Sequence, residues 1–260
     1  MTTLTLLVKT SHGGQLKQID NFLKSEFEEL DVEIKVLGNT GNRWVQVELS
    51  GEDEVIATSY INKKIGTCPI SLENAKNQGT ITGYISKVDS NKQELKIDIG
   101  VFEPRVIQAT IPVVKLQAQL LHNKIADLKR IAESFSLVEG LPIGVQLIQS
   151  NTGEEIVEAE LSAGEAERLG RWQMSLLDRL VILGASKESV TLVLERTRLN
   201  RDVINVEELG LFVQALTCKL GTQAAGLIPV IGRYMRYSVF AVFNAKRNAE
   251  FLTLEELKQR

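Results

Sequence analysis

The chain has 260 residues, of which 43% are hydrophobic and 24% are charged, and its formal net charge is −3. This length exceeds what one small barrel needs, so two or three domains are expected. The composition is ordinary for a soluble globular protein with a sizeable core. The acidic balance excludes a protein that binds polyanions through its overall charge, so any contact with nucleic acid must come from a local basic patch.

The cysteines and histidines give no support for a metal site. Cys68 and Cys218 lie far apart, and neither has a Cys or His at metal-ligand spacing. Both are predicted to be reduced, buried thiols, with a disulfide as the less favoured alternative. His12 and His122 are the only histidines, whereas a metal site normally needs several clustered donors. No metal and no cofactor are predicted.

The start of the chain follows a strand pattern rather than the pattern of a leader peptide. No apolar run in the sequence is long enough for a membrane span. We therefore expect a cytoplasmic protein that makes no membrane contact.

Residues 1–76 alternate between strand and helix patterns. A strand is predicted over 2–8, and apolar residues at three- and four-residue spacing predict an amphipathic helix over 16–27. A two-stranded hairpin over 32–49 and a second helix over 52–65 follow. This β-α-β-β-α order is most of a ferredoxin-like unit, and we predict a domain of that type.

Residues 77–151 carry the pattern of a small closed β-barrel. The segment contains three strand-like runs, a helical stripe and a last strand, over 79–88, 94–100, 106–112, 116–135 and 143–149. A helix inserted before the last strand is typical of an OB-type Greek-key barrel.

Four motifs in this segment resemble an S1-type RNA-binding domain. They are Gly79-x-Ile-x-Gly-Tyr-Ile-x-x-Val, Ile97-Asp-Ile-Gly100, Ala109-x-Ile-Pro112 and Glu139-Gly-Leu-Pro-Ile-Gly-Val-Gln-Leu-Ile148. The resemblance implies that the barrel binds RNA, and the predicted contacts are Tyr84, Lys87, Phe102 and Arg105. The run Ser90-Asn-Lys-Gln-Glu94 stands where S1 domains usually carry aromatic residues. Stacking contributes about 1–3 kcal/mol per base, so the absence of these aromatic residues would weaken binding of single strands. The alternative is therefore a barrel that serves as a spacer or as a protein-docking surface.

Residues 152–260 are predicted to form a compact α/β domain. A capping box at Ser162–Glu165 predicts a helix through Leu183. Three strands, a glycine-punctuated turn and a brief closing helix capped at Thr253 are predicted after it, with the strands over 190–194, 211–219 and 237–243 and the turn over 221–233.

The densest basic region lies in this last segment. Over 186–247 there are 9 Lys and Arg against 5 Asp and Glu. The predicted nucleic-acid contacts here are Arg196, Arg198, Arg201, Lys219, Arg233 and Arg236. Guanidinium groups beside glycine-exposed amides suit phosphate, because both donate hydrogen bonds to anionic oxygens. The alternative is that Arg196 and Arg198 pair with nearby acids, namely Glu195, Asp202, Glu207 or Glu208.

A second resemblance covers most of the chain. Arg201-Asp-Val-Ile-Asn-Val-Glu-Glu-Leu-Gly210, followed by Cys218-Lys-Leu-Gly-Thr-Gln-Ala-Ala-Gly-Leu-Ile-Pro-Val-Ile-Gly232, resembles the carboxyl-terminal signature of an uncharacterised archaeal protein family, a domain of unknown function. The resemblance implies a cytoplasmic archaeal protein and supports the boundaries 1–76, 77–151 and 152–260. It brings no activity and no site residues.

The sequence shows no constellation of acid, base or nucleophile that would support catalysis, so we predict that the protein is not an enzyme. The favoured hypothesis is an RNA-binding protein of a ribosomal or transcriptional assembly. A protein-interaction module that docks on a larger complex is the main alternative. A small-molecule or nucleotide-binding enzyme, with a deep pocket lined by the Gly221–Gly232 turn, is the third hypothesis.

Overall fold

The computed structural model of the chain describes residues 1–148 and 156–258. Within them the chain folds into an N-terminal α+β domain, a central β-barrel and a C-terminal α+β domain. The predicted mixture of helices and strands and the predicted central barrel are confirmed. The end of the predicted strand at 149 and the predicted boundary at 151–152 lie outside the described residues.

The N-terminal domain is a three-stranded antiparallel sheet with two helices on one face. Its elements are β1 (Thr2–Lys9), α1 (Gly14–Glu26), β2 (Val32–Asn39), β3 (Trp44–Gly51) and α2 (Glu54–Lys64). The strands lie in the order β1-β3-β2. In β3, Val45, Val47 and Leu49 are fully buried against the helices, whereas Gln46 and Glu48 on the other face are half-buried. This alternation is typical of a sheet with one face covered.

A short connection joins this domain to the barrel. Thr67 forms an antiparallel bridge to Leu6 on the free side of β1. The two-residue strand β4 (Ile70–Ser71) and the helix α3 (Leu72–Asn77) follow. Ser71 caps α3, because its side chain accepts a 3.2 Å hydrogen bond from the backbone N–H of Asn74.

The central barrel has five strands that close on themselves. Its elements are β5 (Thr80–Asp89), β6 (Glu94–Glu103), β7 (Ile107–Pro112), α4 (Val113–Leu121), α5 (Leu128–Phe135), β8 (Pro142–Leu147) and β9 (Ile156–Leu161). β5 pairs with β6 and β8, and β6 pairs with β7. β9 closes the barrel by pairing parallel to β7 and antiparallel to β8, while β4 adds to the outer end of β6.

The structure differs from the predicted barrel at two places. The strand predicted to be the last is followed by β9, which lies past the predicted boundary at 151. The predicted helical stripe is two helices, because His122 adopts a left-handed conformation (φ 52°) after α4. Asp127 then caps α5 by accepting a 2.7 Å hydrogen bond from the N–H of Arg130.

The C-terminal domain is built around a four-stranded sheet. Its helices and strands are α6 (Ala163–Met174), β10 (Arg179–Leu183), α7 (Lys187–Arg196), a 3-10 turn (Leu199–Arg201), β11 (Val203–Gly210), β12 (Val213–Cys218), α8 (Ala224–Ile231), β13 (Val239–Phe243) and α9 (Ala245–Lys258). The strand order is β11-β12-β10-β13, and every pairing is antiparallel. Helices α7 and α8 cover one face, and the barrel with α6 and α9 covers the other.

Two predictions for this domain are wrong at its start. The helix that Ser162 caps ends at Met174, and Arg179–Leu183 is a strand. Ser162 accepts a 3.3 Å hydrogen bond from the N–H of Glu165, as predicted. The Glu165 carboxylate, however, pairs with Arg168 rather than returning to the cap. β10 is buried on both faces and therefore has no alternation that would mark it as a strand.

Three further elements differ from the prediction. The predicted strand over 190–194 is part of α7, which begins with a Ser186 cap on the N–H of Ser189. The glycine-punctuated turn over 221–233 contains α8. The closing helix begins at Ala245, so Thr253 lies inside α9 instead of capping it.

The hairpin between β11 and β12 joins the two terminal domains. Phe212 at its tip is 5% exposed and packs within the core of the N-terminal domain. Its carbonyl accepts hydrogen bonds from the N–H groups of Gly184 (2.7 Å) and Ala185 (3.1 Å). The side-chain amide of Gln15 in α1 donates to the Gly184 carbonyl at 3.2 Å. The N-terminal core is therefore completed by a residue of the C-terminal domain.

Candidate nucleic-acid interface

The structure places the predicted C-terminal cations on the exposed side of the C-terminal domain. Arg196 occupies the last turn of α7, and Arg198 follows in a left-handed conformation (φ 59°). Arg201 turns back, with its Nε 3.5 Å from the Arg198 carbonyl. The backbone N–H of Lys219 donates to the Asp202 carbonyl at 2.8 Å. The end of α7, the 3-10 turn and the end of β12 therefore meet at one corner of the domain.

Arg196 also reaches the segment that follows α8. Its guanidinium carbon lies 5.0 Å from the ring centroid of Tyr234, which is 46% exposed. Arg233 precedes that ring in the sequence and is exposed, as is Arg236 on the turn towards β13. We call the following residues the arginine surface: Arg196, Arg198, Arg201, Lys219, Arg233, Tyr234 and Arg236. Contacts connect Arg196 to Tyr234, Arg198 to Arg201 and Lys219 to Asp202, but none ties Arg236 to the others.

The cations of the arginine surface have no acidic partners in the part of the chain that the structure describes. Pairing of Arg196 or Arg198 with Glu195, Asp202, Glu207 or Glu208 is not observed there. Glu207 instead accepts a 3.0 Å hydrogen bond from the indole N–H of Trp172. Elsewhere cations do find partners, as Lys9 does with Asp98 (2.5 Å) and Arg247 with Glu133 (3.4 Å). A guanidinium without an acidic partner keeps most of its donors free for an anionic ligand.

The aromatic residues predicted for the barrel are turned away from solvent. Tyr84 is 6% exposed, packs edge-to-face on Trp44 with ring centroids 5.3 Å apart, and donates its hydroxyl to the Leu7 carbonyl at 3.3 Å. Burial raises the pKa of Tyr84 well above its usual range. Phe102 is half-buried against the same cluster. The N-terminal domain covers both rings, so Tyr84 offers no face on which a base can stack.

The predicted barrel cations lie apart from the arginine surface. Lys87 on β5 is exposed, and its Nζ lies 3.4 Å from the Asp89 carboxylate. Burial opposes ionisation of Asp89, but the N–H of Lys92 and the cations of Lys87 and Lys96 hold its pKa below the usual value. Arg105 is exposed in the turn between β6 and β7. Both positions belong to the barrel segment, whereas Arg196 and its neighbours belong to the C-terminal domain.

The cysteines are reduced and buried, as predicted. Burial raises the pKa of the Cys218 thiol to about 11, and the pKa of Cys68 is raised by burial as well. Over the described residues, no group of three His, Cys, Asp or Glu side chains is arranged to hold a metal ion. None of the helices that the structure describes has the length and apolar character needed to cross a bilayer.

The structure therefore defines a mixed α+β protein, in which a closed barrel lies between two α+β units and the second unit carries an exposed basic surface. Residues 4–71 match the DUF2110 N-terminal domain, and residues 177–243 match the DUF2110 C-terminal domain. The two matches together cover just over half of the chain, and the barrel lies between them. The chain belongs to the DUF2110 family, which confirms the predicted membership of a domain-of-unknown-function family. A comparison with curated proteins finds no match.

Proposed function

We propose that this chain is a non-enzymatic RNA-binding protein of the translation or transcription machinery, and that it binds the phosphates of single-stranded RNA along the arginine surface. One observation carries the proposal. Six exposed cations lie on the C-terminal domain of an acidic protein without an acidic partner among the described residues, and one of them, Arg196, lies over the ring of the exposed Tyr234.

The chemistry of this surface suits a strand of RNA. The guanidinium plane of Arg196 against the Tyr234 ring is held by cation–π attraction, which leaves its edge free to donate to phosphate oxygens. Exposed aromatic rings beside cations are typical of surfaces that bind single strands, since bases stack on the rings while the cations follow the backbone. The local excess of cations would also attract the polyanion in spite of the net charge of −3.

The barrel supports this proposal as a scaffold. The closed order of its strands, with α4 and α5 inserted between β7 and β8, supports an S1-like OB-type fold. The β1-β3-β2 order of the N-terminal sheet, flanked on the free side of β1 by Thr67, supports a ferredoxin-like unit. Because the N-terminal domain covers Tyr84, we assign the main RNA contacts to the C-terminal domain instead of to the barrel.

The salt dependence of RNA affinity tests the proposal. Binding of a fluorescein-labelled twelve-nucleotide RNA is measured by anisotropy over a range of salt concentrations, for wild type and for Arg196→Ala/Arg198→Ala/Arg201→Ala. Loss of three phosphate contacts lowers the slope of log affinity against log salt by about 2, because each contact to a single strand contributes about 0.7. The matched control is Lys17→Ala/Lys35→Ala/Lys63→Ala, which removes three exposed cations from the N-terminal domain.

We expect the control to keep the wild-type slope. Equal slopes for wild type and the arginine variant, or no RNA binding by wild type at low salt, overturn the proposal.

A protein partner is the second candidate. Leu192 on α7 and Leu220 after β12 are 65% and 86% exposed, which is unusual for leucine and typical of a docking surface. A wild-type protein that binds no RNA but co-purifies with a protein partner would favour this function.

A further inference from the structure

A cleft lies where the N-terminal domain, the barrel and the C-terminal domain meet. Its volume is about 460 Å³, within the range of small-ligand pockets. The N-terminal domain contributes the loop around Arg43, the barrel contributes outer residues of β5, β6 and β7, and the C-terminal domain contributes Tyr237 and the segment after β10. The cleft is separate from the predicted site residues except for Tyr84, which lies in its wall.

An exposed aromatic ring stands at the rim of this cleft. Tyr237 is 78% exposed, and its ring centroid lies 5.4 Å from that of His12 at an angle of 40°. Tyrosine and histidine rings are the usual platforms for unstacked RNA bases. Tyr237 also follows Arg236 directly in the sequence. The segment after α8 therefore contributes Arg236 to the arginine surface and the next residue, Tyr237, to the rim of the cleft.

The barrel wall of the cleft holds hydrogen-bonding groups that the fold leaves unused. Gln108 on β7 lines the cleft, and its amide makes no hydrogen bond within the described residues. Ser86 on β5 lines the same wall, and its buried hydroxyl oxygen has no hydrogen-bond partner among residues 1–148 and 156–258. A side-chain amide both donates and accepts, which matches the edge of a nucleobase. A buried hydroxyl without a partner is costly, so a ligand that satisfied it would gain affinity.

The charges at the cleft suit one phosphate. Lys9 forms an ion pair with Asp98, and its Nζ lies 4.6 Å from the Trp44 ring centroid. Arg43 is exposed in a left-handed conformation (φ 66°) and has no ion pair in the described part of the chain. Glu139 lines the cleft as well and is exposed. With Arg43 as the available cation and Glu139 as an acid among the described residues of the lining, the cleft accommodates a monophosphate better than a triphosphate.

We propose that this cleft binds one unstacked nucleobase together with its adjacent phosphate. The base stacks on Tyr237, the Gln108 amide bonds its edge, and Arg43 pairs with the phosphate. The inference extends the proposed function, since a strand held on the arginine surface would pass Arg236 and enter the cleft. A free nucleoside monophosphate carries the same base and phosphate as a nucleotide within RNA. The experiment therefore distinguishes these two ligands.

The test uses the full chain and a twelve-nucleotide oligouridine that carries one central 2-aminopurine. Anisotropy gives the affinity, and 2-aminopurine fluorescence reports stacking, because stacked 2-aminopurine is quenched. The variants are Tyr237→Ala, Tyr237→Phe, Gln108→Ala and, as the matched control, Tyr60→Ala on α2. We expect Tyr237→Ala to weaken binding about tenfold and to lose the quenching. Tyr237→Phe keeps both, and Tyr60→Ala binds like wild type.

Adenosine monophosphate is titrated into the same proteins by calorimetry to distinguish the sources. RNA binding that depends on Tyr237, without measurable binding of the mononucleotide, supports the strand. Binding of the mononucleotide that depends on Tyr237, in a protein that binds no RNA, supports the cleft while the proposed function fails. If Tyr237→Ala binds RNA like wild type and the arginine variant does not, the cleft proposal is overturned and the proposed function stands. If neither ligand responds to Tyr237 or Gln108, the cleft proposal is overturned as well.

Discussion

The two terminal domains arrange their strands in the same way but use their sheets differently. In the C-terminal domain the order β11-β12-β10-β13 places the first and third strands side by side, as the order β1-β3-β2 does in the N-terminal domain. Helices cover one face of each sheet. The second face of the C-terminal sheet is buried under the barrel, whereas much of the second face of the N-terminal sheet is half-buried or exposed.

This difference shows in the residues of equivalent strands. Every residue of β12 is buried, and Val213 and Ala215 face the barrel side. In β3 the corresponding side carries Gln46 and Glu48, which are polar. A strand between two covered faces buries every side chain, including the polar Gln214 and Thr217 of β12, whereas a strand with one open face alternates between buried and more exposed residues. The same strand order therefore accommodates two different sequence patterns, and the surroundings of the sheet decide which one it needs.

The largest effect is expected from a charge placed on the covered face. Ala215→Asp puts a carboxylate at a fully buried position between β10 and β11. We expect the free energy of unfolding to fall by about 3–5 kcal/mol, because the buried carboxylate loses its hydration and lies opposite a like charge, Glu207 of β11. Urea unfolding followed by tryptophan fluorescence measures the loss.

The equivalent substitution on the open face is the control. Gln46→Asp in β3 should cost less than about 1 kcal/mol, since the half-buried carboxylate stays in contact with water. Equal losses for the two substitutions would mean that the second faces of the two sheets do not differ in solution.

The next effect concerns the hairpin that links the two domains. Phe212→Ala removes a ring that is 5% exposed in the N-terminal core. We expect a loss of about 3 kcal/mol, typical of a large-to-small change in a core. The loss should fall on the N-terminal domain, so its amides should exchange with solvent faster than those of the C-terminal sheet. Hydrogen exchange with mass spectrometry measures both regions, and uniform acceleration over the whole chain would contradict the assignment.

The smallest effect is a pH dependence that arises on the covered sheet. Burial raises the pKa of Cys218 from 9.0 to about 11. Between these values the unfolded chain loses the thiol proton and the folded chain keeps it, so unfolding becomes more favourable as pH rises. The contribution of Cys218 is therefore fully present below pH 9 and is lost by about pH 11.

Urea unfolding at intervals from pH 8 to pH 11 checks this expectation. The fall in stability should be shallower in Cys218→Ala than in wild type. Val203→Ala serves as control, because Val203 is the β11 neighbour of Cys218 and does not titrate. An unchanged pH dependence in Cys218→Ala would show that the thiol is not responsible.

The N-terminal domain could be predicted almost completely from its sequence, and the C-terminal domain only in part. The three strands and α1 carry a clear period, because one face meets the core and the other is more open to solvent, whereas α2 buries Ala57 and Ile61 and exposes the apolar Val55 and Ile56. The apolar run of β10 has no such alternation, so its sequence predicts the end of a helix where the structure has a strand. In α7 the opposite problem arises, since Leu192 is 65% exposed. Together with Val190 and Leu194 it imitates the alternation of a strand.

The candidate interface, too, could be predicted only in part from the sequence. The cations of the arginine surface were found from composition, because a local excess of charge is visible without knowledge of the fold. The sequence predicts Tyr84 as an RNA contact, but in the structure Trp44 and Leu7 of the N-terminal domain cover its ring. The residues next to Tyr84 in the sequence give no indication of this contact between domains. Tyr237 and Gln108 were not predicted, since only the meeting of three domains brings them to one cleft.

The docking of Phe212 has a consequence for how the protein is made. The first domain lacks part of its own interior until a residue encoded more than a hundred positions after its last helix has left the ribosome. A nascent chain that contains only this domain therefore has a cavity lined by apolar side chains at the position that the Phe212 ring fills. The N-terminal domain therefore completes its folding only after the β11–β12 hairpin of the C-terminal domain has been synthesised.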